Sequence, residues 1–275
     1  MVAAAAMTAA LSLSLPAFAA SASTQTTATD RPLPAAEQKF QQFQIDHPND
    51  LAAQDQKAME MFGTHVEVEF QGQSDFITGT QAQAQIDASR ATASSSTPKL
   101  TQEGMVAASS LPNDVFDVYI VKVNTLYGWE FGGHWKFASY FAGQTDPDDI
   151  AALEFNIDNC AQLSNLDIVT YDTAGNTTSL GSLKDANVIN HSPIYNVHDQ
   201  ESGFSNQADS GAALAWLTAD NCPLNHYNGQ AAFTYDAIEG GSVNSVSASY
   251  GALSVSTSGS PLELQKSTQP FAFVY

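Results

Sequence analysis

The sequence predicts an antiparallel β-sandwich, of jelly-roll or immunoglobulin-like type, preceded by short helices. Three observations carry that prediction. From residue 114 onward, short segments of alternating apolar and polar residues follow one another closely. Turn residues recur between them at Gly132-Gly133, Asp146-Pro147, Gly175-Asn176, Gly181, Gly229, Gly240-Gly241 and Gly259. No amphipathic helical period interrupts the series, which separates a sandwich from an alternating α/β fold.

The chain begins with an apolar and small-residue run, Ala3 to Leu15, closed by Pro16 and Ala17-Phe18-Ala19. Length and closing pattern are those of an export signal over residues 1–20, with cleavage near Ala19 or Ala20. A Ser/Thr-rich stretch, residues 21–36, reads as a flexible mature terminus. Residues 37–112 then offer two short helices, one strand and a polar linker. Phe40 and Phe43 share a helical face that His47-Pro48 ends. Leu51, Ala58 and Phe62 share another, which Gly63 stops. Val66, Val68 and Phe70 alternate with charged residues as in a strand, and a further helix is expected around Gln81 to Ala91.

Residues 113–275 form the expected sandwich domain. Its candidate strands are Val115–Phe131, His134–Phe141, Ala151–Asp158, Asn165–Tyr171, Ala186–Ile189, Ala212–Thr218, Ala231–Ile238, Val243–Tyr250, Ala252–Thr257 and Pro270–Tyr275. Two cysteines, Cys160 and Cys222, close the similar segments NIDNC and TADNC and are expected to form one disulfide. Closing a loop of about 60 residues is worth on the order of 4 kcal/mol in the chain-entropy picture.

Charge excludes whole classes of partner. The 275 residues carry 9 Lys+Arg against 29 Asp+Glu, a net charge of −20. Phosphate backbones and anionic lipid surfaces need clustered cations that this composition lacks. No interior run approaches the length of a spanning helix, so the exported chain is not expected to be membrane-embedded.

The densest chemical signal is YGWEFGGHWKF, Tyr127 to Phe137. A two-residue turn at Gly132-Gly133 would set Phe131 opposite His134 and Trp129 opposite Lys136. Tyr127, Trp129, His134, Lys136 and Tyr140 then share an outward face, a candidate platform for the apolar faces of sugars. Leu126, Trp135, Phe137 and Phe141 would face the core. Acidic turns supply weak calcium candidates: Asp146, Asp148 and Asp149 in TDPDD, and Asp199, Glu201 and Asp209 further on. His191 and His198 stand seven residues apart without a third ligand in view. The sequence holds no G-x-S-x-G, H-E-x-x-H, P-loop or C-x-x-C pattern. The expectation is therefore an extracellular binding or surface-interaction module, with polysaccharide or a cell-surface component as partner. A secreted carboxylate-based hydrolase and a structural envelope protein are the alternatives.

Overall fold

The computed structural model describes residues 32–70, 76–93, 116–137, 147–202, 205–208, 210–223, 227–259 and 261–275. The expected export signal, most of the mature terminus, and Tyr140, Phe141, Asp146 and Asp209 lie outside the described residues.

The chain runs through α1 (Ala35–Asp46), α2 (Leu51–Phe62), β1 (Val66–Phe70), β2 (Ile77–Thr78), α3 (Gly79–Ala93), β3 (Phe116–Asn124) and β4 (Trp129–Phe137). It continues with β5 (Asp149–Asn156), β6 (Gln162–Tyr171), β7 (Thr177–Thr178), β8 (Gly181–Asp185), β9 (Ile194–Val197), β10 (Gln200–Ser202) and β11 (Ser205–Gln207). It ends with β12 (Ser210–Thr218), β13 (Asn228–Glu239), β14 (Ser242–Ser249), β15 (Ala252–Ser258), β16 (Leu262–Ser267) and β17 (Phe271–Val274).

These strands build an antiparallel β-sandwich. One sheet has the order β2-β1-β3-β4-β12-β6-β7, and the other β16-β13-β5-β9-β8 with β17 also on β13. Inward side chains fill the space between them: Ile120, Phe131, Trp135 and Leu217 from the first sheet, Leu153, Phe155, Tyr195, Phe233 and Phe271 from the second. The Trp135 ring stacks on Tyr235 at 4.9 Å, and Phe131 meets Phe155 edge-on at 5.1 Å. β1 pairs with β3 along five residues, so the segment before residue 113 contributes a strand to this sandwich.

Both outer faces are partly covered. Phe40, Leu51, Ala58 and Ala82 of the helices pack with Val68, Tyr119, Val121 and Val123 on the first sheet. The hairpin β14–β15 lays Ala248 and Leu253 on Ile150, Ala152, Ile194 and Ile238 of the second. Short helices that would be marginal alone are held by this burial. α2 is also capped at both ends, by the Asp50 carboxylate accepting from Ala53 N at 2.9 Å and by Gly63 in the left-handed region.

Cys160 and Cys222 form the expected disulfide. Cys160 follows β5 and precedes β6, while Cys222 follows β12 and precedes β13, so both lie on connections that cross from one sheet to the other. The two similar segments are two equivalent crossings, tied together.

One expectation is corrected. β4 runs straight through Gly132 and Gly133, and the chain turns earlier, between Asn124 and Trp129. There the Thr125 hydroxyl oxygen accepts from the N–H groups of Tyr127 and Gly128 (3.1 and 3.3 Å), and Thr125 N donates to Gly128 O at 2.8 Å. Gly132 and Gly133 are glycines for packing. A Cβ on Gly133 would stand 2.0 Å from the Phe233 ring, and one on Gly132 would stand 2.8 Å from His134 Nε2. The face assignment changes with the turn. Trp129, Phe131, Trp135 and Phe137 all point between the sheets, and Leu126, expected in the core, is 93% exposed in the loop. Residues 188–191, expected within or beside a strand at Ala186–Ile189, form a turn with Ile189 exposed. β9 and β16 were not anticipated; β9 is only four residues long, and β16 is interrupted by polar side chains.

Candidate functional site

The outer face of the second sheet carries Asp148 and Ile150 ahead of and within β5, Asn196 on β9 and Lys184 on β8. Gly240 and Gly241, both with φ above 70°, make the tight turn from β13 into β14 and bring Ser242 and Val243 against them. The result is an open, mainly polar cleft of about 510 Å³ between the base of the hairpin and the sheet. The Lys184 ammonium donates to Asn196 Oδ1 at 3.1 Å, and His198 Nδ1 lies 2.8 Å from Asp148 Oδ1 at the margin. Carboxylate, amide, ammonium and hydroxyl thus stand side by side at the surface, offering both donors and acceptors.

The expected aromatic platform is not assembled by the fold. Tyr127 is half-buried with its ring edge-on to Trp216 at 6.0 Å, on the helix side of the first sheet. Trp129 packs against Tyr275 at 6.1 Å, on the side between the sheets. The two rings therefore share no face. His134 is buried and stacked on Tyr119, with ring centroids 4.8 Å apart and 4° between planes. Lys136 donates to Asn49 Oδ1 at 3.2 Å, under the loop between α1 and α2.

The acidic candidates also separate. Asp148 lines the cleft, but the next residue along the strand points inward: the Asp149 carboxylate accepts from Tyr235 Oη and Ile238 N, each at 2.8 Å. Asp199 is buried, and Glu201 lies on β10. Among the described residues, no three Asp, Glu, His or Cys side chains converge as a metal site.

No family model matches the sequence, and no curated protein matches it. Among solved structures the chain is similar to ACE19, the collagen-binding subdomain of the Enterococcus faecalis surface protein ACE. The identity is 8%, over 58% of this chain and 90% of that one, with a TM-score of 0.21. No helix among the described residues is long and apolar enough to cross a membrane.

Sequence reasoning passed over the buried acids. Glu130 is 1% exposed beneath α1 and receives the Gln44 amide nitrogen on both oxygens, at 2.9 and 3.0 Å. Burial, with Glu37 adding like charge, pushes its pKa up to about 8. Burial alone pushes the His134 imidazole down to about 4, so it is neutral. Glu69, on β1, lies at 3% exposure, and burial, only partly offset by the backbone N–H of Gln269, pushes it up to about 8. Their sequence signal was period-two alternation: Glu130 and His134 alternate with aromatics only when β4 is one unbroken strand.

Proposed function

We propose that the protein is an extracellular binding module that takes carbohydrate in the cleft beside Asp148, Lys184, Asn196 and Ser242. The observation that carries this reading is the cleft itself, whose mixed donors and acceptors suit hydroxyl groups, each of which both gives and accepts hydrogen bonds. The disulfide supports an oxidising, extracellular setting. The net charge of −20 suits a neutral or basic ligand better than a polyanion.

Retention on immobilised neutral polysaccharides (cellulose, chitin and β-1,3-glucan) tests the reading. Wild type is expected to be retained on at least one of them. Lys184→Ala with Asn196→Ala should weaken that retention about tenfold or more, at unchanged melting temperature, because two hydrogen-bonding groups are lost. Retention on none, or equal retention of wild type and variant, overturns it.

A further inference from the structure

The hairpin β14–β15 pairs with neither main sheet; its two strands pair with each other and lie across the outer face of the second sheet. Its base supplies Ser242 and Val243 to the cleft. Its tip, Tyr250-Gly251, reaches the far end of the same face, where Glu154 on β5 is fully buried. The donors that face the Glu154 carboxylate are the Thr234 hydroxyl and the N–H groups of Gly251 and Ala252, and burial outweighs them. Asp236, on the neighbouring strand β13, is 1% exposed with one oxygen unpartnered. The Gln265 amide bridges its other oxygen and the hairpin carbonyl of Leu253, at 3.3 Å each.

The hairpin is held by apolar packing and by hydrogen bonds, among them that of the Thr257 hydroxyl to the Glu263 carboxylate. Apolar packing comes from Ala248, Leu253 and three half-buried valines, and Asn187 Nδ2 donates to Ala248 O at 2.8 Å. The groups facing the two carboxylates are Thr234 from β13, Glu263 and Gln265 from β16, and Tyr250 with the N–H groups of Gly251 and Ala252 from the hairpin. No Lys, Arg or His among the described residues pairs with either acid. Ionising either acid under the closed hairpin places negative charge in a dry site where the facing donors do not offset the lost water, and for Asp236 it does so beside Glu263. Opening the hairpin to water removes that cost.

We infer that the hairpin is a proton-held wall of the cleft, closed while Glu154 and Asp236 carry their protons and released when they ionise. The role of the cleft in this statement rests on the binding reading above, whereas the movement of the hairpin does not. Burial raises the pKa of Glu154; burial, followed by the charge of Glu263, raises Asp236 to about 7. Raised carboxylate values mean that closure is favoured in acid and lost as pH rises through neutrality.

Amide hydrogen exchange on the full chain at pH 5 and pH 8, corrected for intrinsic rates, tests the inference without any ligand. Protection of the amides of β14 and β15, measured relative to those of β12, should fall about tenfold or more at the higher pH. Glu154→Gln and Asp236→Asn should each reduce that fall. Equal relative protection of the wild-type hairpin at both pH values overturns the inference, as does an undiminished fall in both variants. Polysaccharide retention plays no part in this readout, so failure of the carbohydrate reading would be seen separately.

Discussion

The ring of Phe233, on one sheet, lies directly on the backbone of Gly133, on the other, so that a Cβ at position 133 would come within 2.0 Å of Cδ2. Phe233 is fully buried, and the Trp135 and Phe233 ring centroids lie 6.4 Å apart. The ring has no free space to retreat into. Gly133→Ala should therefore destabilise the protein by about 1–3 kcal/mol or more through overpacking. Gly133→Ala combined with Phe233→Leu should recover part of that loss. Denaturant midpoints of the three proteins check both statements.

The disulfide spans 62 residues and ties the two crossings between sheets. Replacing Cys160 and Cys222 together by Ser should cost about 2–5 kcal/mol in unfolding free energy. Chemical denaturation of wild type and the double variant, both without reductant, measures it.

Glu130 holds its proton more tightly in the folded protein than in the unfolded chain, because burial and Glu37 push its pKa from 4.5 up to about 8. Its contribution to stability is full below about pH 4.5 and is lost as pH rises toward about 8. Glu69 acts in the same direction over the same window. Glu130→Gln and Glu69→Gln should each flatten the alkaline fall in stability, gaining on the order of 1 kcal/mol or more over wild type at pH 9 relative to pH 5. Urea midpoints across that range give the comparison.

His134 has the opposite sign. Its folded pKa of about 4 lies below the ordinary 6.5, so the unfolded chain takes up its proton first as the pH falls. Stability drawn from this group is complete above about pH 6.5 and is lost on the way down to 4. His134→Phe, which keeps a ring against Tyr119, should weaken the acid-side loss in that interval. The difference between variant and wild-type midpoints at pH 4.5 and 7 isolates it from the carboxylates.

Alternation of side chains made most of the sandwich legible in the sequence, because a strand with one buried face must repeat its apolar residues every second position. Val66, Val68 and the closing Phe271 and Phe273 are found as that rule places them. The pairing of Cys160 with Cys222 followed from there being two cysteines in a chain expected to be exported. What alternation could not convey was why two adjacent glycines stand in YGWEFGGHWKF. Glycine is favoured both in a tight turn and where another group touches the backbone, and the sequence is the same in either case.

The tertiary structure decided between them by bringing Phe233 from a strand a hundred residues away onto Gly133. That choice moved the turn to Thr125–Gly128, reversed the face of Trp135 and Phe137 relative to Trp129, and dissolved the expected aromatic platform. The cleft and the buried acids under α1 and under the hairpin depend on the same kind of distant contact. Composition alone set the excess of negative charge. Which carboxylates lost their water, and which stayed at the surface, was settled by packing across the sheets.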